Sequence, residues 1–100
     1  MYTFNTQVDI KWKDGTSTPA GTTATVKSWD TTPLLEIGGV ARAVNGPTAG
    51  KLIAGYVPDE DELEAWVSDG VCETPTGASV EPDGHDEHGI PSWLMILGII

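Results

Sequence analysis

The side chains most suited to chemistry are concentrated in one short stretch near the end of the chain, "DGHDEHG". His85 and His88 are three residues apart, a separation at which two imidazole rings can converge on a helix or turn. The carboxylates of Asp83, Asp86 and Glu87 surround them, and this mixture of ligands suits zinc, nickel or manganese. No second group of ligand-type residues supports the pair. We therefore keep His85 and His88 as candidates but predict a solvated polar segment without bound metal.

No residue set predicts catalysis. The only cysteine, Cys72, has acidic neighbours and no basic neighbour that would stabilise a thiolate, so a nucleophilic role is not predicted. The sequence also lacks a glycine-rich phosphate loop and a G-x-S-x-G elbow. We predict a protein that is not an enzyme, with no catalytic residue and no cofactor. A lone cysteine also excludes an internal disulfide.

Charge is divided unevenly along the chain. Residues 1–51 contain all five basic residues and four acids, whereas residues 52–100 contain eleven acids and no base. A strongly negative second half disfavours phosphate backbones, so we predict no nucleic-acid binding. A solvated acidic surface, a cation or a basic protein partner would each be compatible with this charge.

Much of the acidity lies in a segment with helical spacing. Leu63, Trp66 and Val67 follow an i, i+3, i+4 pattern, Asp59 can cap the start and Gly70 can end the helix. We predict one short helix at about residues 59–68. Its acids complement the helix dipole, and they also define a candidate acidic docking face, which comprises Asp59, Asp61, Glu62 and Glu64.

The first half of the chain has the pattern of β-strands. Apolar residues occupy the even positions from Tyr2 to Trp12, interrupted only by Thr6, which predicts one face of a half-buried strand. Further strands are predicted at 22–29, 34–37, 40–44 and 51–57, with Gly38-Gly39 as a hairpin turn. The spacing predicts a mainly β protein, a small antiparallel sandwich or partly open barrel of about five strands.

The remaining sequence predicts two further segments after a β-rich module at 1–72. Residues 73–89 are rich in small and turn-forming types, which predicts an acidic flexible linker. Residues 90–100 form an apolar arm that is too short to span a membrane. The arm either completes the chain's own core or binds a neighbour, and its candidate partner-binding residues are Ile90, Trp93, Leu94, Met95, Leu97, Ile99 and Ile100.

A Thr- and Gly-rich β-module, joined by a polar linker to an apolar C-terminal arm, resembles small structural and accessory proteins of tailed bacteriophages. Capsid decoration and tail-assembly components have this layout, and the resemblance covers the whole chain. It implies a virion protein that docks on a repeating lattice and shares arms between neighbours. The resemblance assigns no role to any individual residue.

Two functions follow as hypotheses. In the first, the protein is a non-enzymatic assembly protein that docks on a larger, virion-like assembly through its β-module and apolar arm, or self-assembles. In the second, it is a soluble acidic inhibitor that covers a basic nucleic-acid-binding surface of a host protein, using residues 59–64 and 81–87. The N-terminal sequence does not resemble a signal peptide, so the expected location is a virion or the host cytoplasm rather than the secreted fraction.

Overall fold

One antiparallel sheet, built from the first half of the chain, organises the fold. The computed structural model describes residues 1–100. The strands are β1 (Tyr2–Asn5), β2 (Ile10–Lys11), β3 (Ser17–Thr18), β4 (Thr23–Trp29), β5 (Pro33–Ile37), β6 (Val40–Ala43), β7 (Cys72–Glu73) and β8 (Ser79–Val80). The helices are α1 (Gly46–Ala54), α2 (Glu60–Asp69) and α3 (Trp93–Ile96).

The four-stranded sheet has the order β1-β4-β5-β6, while β2–β3 and β7–β8 form separate two-stranded pairs. All the pairings are antiparallel, so the predicted mainly β fold class is confirmed. Gly38 and Gly39 form the two-residue turn between β5 and β6, with φ angles of 58° and 84°. Such a turn needs positive φ at both central positions, which glycine adopts without steric penalty.

The N-terminal segment keeps its predicted alternation but not its predicted continuity. Every even position from Tyr2 to Trp12 is at least partly buried and every odd one is exposed. The segment nevertheless divides into β1 and β2. The regular register with β4 ends at Asn5, and the side chain of the next residue, Thr6, holds the neighbouring turn. Its hydroxyl donates to the Pro19 carbonyl at 3.1 Å and accepts from the Thr22 amide at 3.0 Å.

Replacing the buried Thr6 by the near-isosteric valine is expected to destabilise the fold by about 1–3 kcal/mol, because the partly buried Thr22 amide loses its hydrogen-bond acceptor. The Pro19 carbonyl keeps a second donor, the Thr22 hydroxyl. Urea denaturation of the two proteins measures the difference. Thr3→Val is the matched control, since the Thr3 hydroxyl is bonded only to Thr25 on an exposed surface. An equal loss in both variants would contradict the role assigned to Thr6.

The strand predicted at 51–57 is wrong, because Gly46–Ala54 forms helix α1. The Asn45 side chain accepts from the Thr48 amide as the N-cap, Pro47 lies in the first turn, and Gly55 ends the helix with φ of 91°. These are standard helix start and stop signals. The start signals at Asn45 and Pro47 lie upstream of the predicted strand, so the helix was missed.

The predicted acidic helix is confirmed as α2. The Asp59 side chain accepts from the Glu62 amide at 2.9 Å, and Gly70 closes the last turn in the left-handed conformation. Unlike α1, which buries four residues, α2 has no residue that is fully buried. It therefore lies on the surface of the protein, where Leu63 and Trp66 make partial contact with the interior.

The interior consists of two apolar clusters. The larger one joins the inner face of the sheet to α1 and to Ile90, and it comprises Ala24, Val26, Leu35, Ile37, Val44, Ala49, Leu52, Ile53 and Ile90. The smaller one contains Cys72, Trp93 and Leu94.

None of the three helices combines the length and apolar character needed to cross a bilayer.

Candidate functional site

Within the histidine-containing stretch, residues 83–89, Asp86 accepts the most hydrogen bonds. Its Oδ2 accepts from the hydroxyls of Thr74 at 3.2 Å and Thr76 at 2.7 Å. Its Oδ1 accepts from the backbone amides of His88 at 2.8 Å and Ile90 at 3.0 Å. Both carboxylate oxygens are thus occupied by donors of the same chain. We assign Asp86 a structural role, since it ties the β7–β8 hairpin to the start of the apolar arm.

These hydrogen bonds change the acidity of Asp86. Partial burial raises its pKa, but the donors from Thr76, Ile90, His88 and Thr74 together outweigh burial and hold the pKa of the carboxyl below its usual value. A carboxyl whose pKa is lower in the folded than in the unfolded protein stabilises the fold above the unfolded-state pKa. That contribution is lost as the pH falls through the folded-state pKa.

Acid is therefore expected to weaken the fold through Asp86 at pH values below about 4, the ordinary pKa of an aspartate. Urea denaturation of the native protein and of Asp86→Asn, each at pH 7 and pH 3, isolates this contribution from those of the other acids. The native protein should lose more stability between the two pH values than the variant does. Identical losses would show that the Asp86 carboxylate does not stabilise the fold.

The two candidate metal ligands, His85 and His88, differ in their surroundings. His85 is exposed and its backbone pairs with Pro91, whereas the ring of His88 lies 4.6 Å from the ring of Tyr2. His88 Nε2 lies 3.4 Å from the carboxylate of Glu87. No group of three His, Cys, Asp or Glu side chains in the chain is arranged to hold a metal ion. Both histidines instead border an open cleft of about 600 Å³ beside Tyr2.

The segment predicted as a flexible linker, residues 73–89, differs from that prediction in its local structure. Cys72 and Glu73 pair with Val80 and Ser79. In the turn that follows, the amides of His88 and Ile90 donate hydrogen bonds to the Asp86 carboxylate. Small and polar residues provide little apolar surface to bury, but here they supply the hydroxyls and tight turns on which the hydrogen-bonded structure depends. Polar contacts thus give part of the segment a defined local structure.

The apolar arm lies largely on the chain's own core. Ile90, Trp93 and Leu94 are fully buried, so the structure places these three candidate partner-binding residues away from solvent. Met95 and Leu97 are only partly covered, and Ile99 and Ile100 are 46% and 57% exposed. The arm is a short helix, α3, followed by a turn. Met95, Leu97 and the last two residues thus remain at least partly available to another molecule.

A glycine in α1 makes room for the arm. A Cβ atom at Gly50 would lie 2.6 and 2.7 Å from two ring carbons of Trp93, closer than atoms can approach without displacement. The indole therefore packs directly on the helix backbone. Its Nε1 is buried without a hydrogen-bond partner, so shape rather than polarity holds the ring in place.

The exposed end of the arm meets α2 at a groove. This groove, called the α2 groove below, has a volume of about 400 Å³. Six residues line it, namely Glu60, Leu63, Glu64, Val67, Ser68 and Ile99. Val67 is 53% exposed although it is apolar. The sequence pattern placed Leu63 and Val67 on the helix but did not predict their proximity to Ile99. Residues far apart in sequence leave no periodic signal of their contact.

The predicted acidic face is exposed along the same helix. Asp59 caps α2, and Asp61, Glu62 and Glu64 lie in its first turns. None of these acids is paired with a cation, because the protein's Lys and Arg ion pairs are Lys27 with Glu36 and Arg42 with Asp14. The face is therefore an unneutralised negative surface next to the α2 groove.

A further cluster was not predicted from the sequence. The Arg42 guanidinium lies 4.5 Å from the centre of the Trp12 ring and 3.7 Å from Asp14. Hydrogen bonds from Thr16, together with the Arg42 charge, hold the pKa of Asp14 below its usual value despite some desolvation. The cluster fastens the β2–β3 hairpin to the edge strand β6, which is a structural task.

Comparisons with models of known protein families, with curated proteins and with solved structures find no match for this chain.

Proposed function

We propose that this chain is a non-enzymatic structural or assembly protein that docks on a larger, virion-like protein assembly. The observation that carries the proposal is the α2 groove, where apolar side chains from α2 and from the end of the arm stay exposed beside each other. Exposed apolar patches rimmed by polar residues are typical of protein-binding surfaces. The arm thus contributes its last residues to docking, while Ile90, Trp93 and Leu94 hold it on the core.

Two of the side chains considered for chemistry, Asp86 and Cys72, are engaged within the chain. Asp86 accepts hydrogen bonds from four donors of its own chain, two at each carboxylate oxygen. Cys72 is fully buried, and its thiol donates to the Glu73 carbonyl. Neither side chain is free to attack a substrate or to transfer a proton to one.

Site-specific photocrosslinking tests the proposal. A photoreactive amino acid replaces Val67 in the full chain, and the variant is produced in the cells that normally make the protein. We expect one defined protein adduct, formed in high yield. The same replacement at Val40, which is 52% exposed on β6 outside the groove, is the control and should give no such adduct. No adduct from position 67, or the same adducts from both positions, would contradict docking through the α2 groove.

A second function is favoured by a separate observation, the absence of cation partners for the acids of α2. In this alternative the protein is an acidic inhibitor that covers a basic nucleic-acid-binding surface. The quadruple variant with Asp59→Asn, Asp61→Asn, Glu62→Gln and Glu64→Gln distinguishes the two, since asparagine still caps a helix. An inhibitor that binds through charge alone would lose nearly all of its binding, whereas an assembly protein that also makes apolar contacts through the α2 groove would keep part of its affinity.

A further inference from the structure

The α2 groove has a regular wall. Five of its residues come from α2, at positions i, i+3, i+4, i+7 and i+8, so they follow one face of the helix for about two turns, or roughly 12 Å. Ile99 supplies the opposite wall. The apolar side chains of Leu63, Val67 and Ile99 belong to this surface, together with the carboxylates of Glu60 and Glu64. The groove thus combines an apolar strip with negative charge.

Charge argues against a second copy of this chain as the occupant. Residues 52–100 contain eleven acids and no Lys or Arg, so two copies that meet at their α2 grooves would bring unneutralised carboxylates together. Like charges at an interface are costly, and they suppress the wrong partner. An occupant with cationic side chains next to its apolar ones would neutralise Glu60 and Glu64 on binding.

The shape of the groove favours a helical occupant. An extended segment binds most readily by adding to a free sheet edge, and the edges of the main sheet are β1 and β6, not the groove. A wall made by one face of a helix instead matches ridges-into-grooves packing of a second helix. An amphipathic helix presents apolar residues at the same i, i+3, i+4, i+7 spacing as the wall.

We infer that the α2 groove binds a cationic amphipathic helix of a partner protein, with Leu63, Val67 and Ile99 contacting its apolar stripe and Glu60 and Glu64 contacting its flanking Lys or Arg residues. This inference rests on the proposed function and adds the chemistry of the partner. Adjacent acids on α2, none of them paired within the chain, extend the negative field that would steer such a helix to the groove.

A designed peptide tests the inference with the full-length protein. The probe is about 18 residues long, which is enough for a helix, and has leucines at i, i+3, i+4 and i+7 with lysines elsewhere. A scrambled peptide of the same composition has the same charge but no apolar stripe. Fluorescence anisotropy of the labelled peptides measures binding at several salt concentrations. We expect the striped peptide to bind at least about tenfold more tightly than the scrambled one.

Neutral substitutions in the protein separate groove binding from general attraction to an acidic surface. Val67→Gln and Ile99→Gln should each weaken binding of the striped peptide by about tenfold, whereas Val40→Gln, outside the groove, should leave it unchanged. Glu60→Gln with Glu64→Gln should weaken binding and flatten its salt dependence. The pair Glu81→Gln with Asp83→Asn removes the same charge elsewhere and should have a smaller effect.

Equal binding of the two peptides, or equal effects of the groove and control substitutions, would overturn the inference. Neither result would contradict the proposed function, because the crosslink from position 67 tests docking through the α2 groove whatever the chemistry of the partner. Conversely, a crosslinked partner whose contact segment is acidic or extended would uphold docking through the groove and reject the cationic helix.

Discussion

Replacing Trp93 by alanine is expected to lower the free energy of unfolding by about 3–5 kcal/mol. The indole is fully buried, it joins Cys72 and Leu94 in the smaller apolar cluster, and it lies directly against Gly50 of α1. Truncating a buried aromatic side chain removes its transfer free energy and leaves a cavity. For a domain of this size the loss corresponds to a fall in Tm on the order of 20 °C.

Thermal and urea denaturation measure this loss of stability, and two further variants serve as comparisons. Trp93→Phe keeps most of the buried ring and removes the unpaired indole N–H, so it should cost clearly less than alanine. Met95→Ala removes a partly exposed side chain of the same short helix and should also cost much less. If Trp93→Ala were no worse than Met95→Ala, the arm would not be part of the core.

Replacing Asp86 by alanine is expected to destabilise the protein by roughly 2–4 kcal/mol, although the residue is polar and only partly buried. Four donors lose their acceptor at once, including the backbone amides of His88 and Ile90. Hydrogen bonds to a charged group are stronger than neutral ones, and donors left without a partner add a desolvation cost. The β7–β8 hairpin should then separate from the start of the arm.

Hydrogen exchange locates the damage, and urea denaturation measures its size. The amides of His88 and Ile90 should lose protection in Asp86→Ala, while those of the main sheet change only with global stability. Asp83→Ala provides the matched control, since Asp83 is an exposed acid of the same segment and should change stability by less than about 0.5 kcal/mol. Comparable losses in the two variants would argue against a special role for Asp86.

The parts of the fold that were predicted correctly depend on local patterns. Alternation from Tyr2 to Trp12 identifies which side chains face inward, and Gly38-Gly39 identifies a hairpin, because both signals come from neighbouring residues. The acidic helix is predictable for the same reason, since its cap at Asp59 and its end at Gly70 lie within its own sequence.

The incorrect prediction at residues 51–57 shows where local patterns are ambiguous. A short apolar run, such as that of Leu52 and Ile53, fits a strand or one face of a helix equally well. The capping residue Asn45 lies several positions upstream and decides in favour of the helix. Long-range packing settles the rest, because Leu52 and Ile53 complete the core beneath the sheet.

The candidate site was only partly predictable from the sequence, because it is assembled from distant residues. Ile99 was predicted as a partner-binding residue, but its neighbours across the groove, Leu63 and Val67, were not. Similarly, the sequence marked Asp86 as a ligand-type residue without showing the two threonines that bind it. Composition indicates which chemistry is available, whereas tertiary structure decides whether a carboxylate faces a ligand or its own backbone.

The close contact between Gly50 and Trp93 has a kinetic consequence. Strands β4, β5 and β6 follow one another through short turns and can pair early, whereas the indole must arrive from a distant part of the chain, which requires closing a long loop. We expect the contact to form after the folding transition state. Stopped-flow measurements on Trp93→Ala should then show mainly faster unfolding with a nearly unchanged folding rate. A contact between Gly50 and Trp93 that forms last would do little to speed folding, but it would slow unfolding and so lengthen the lifetime of the folded molecule.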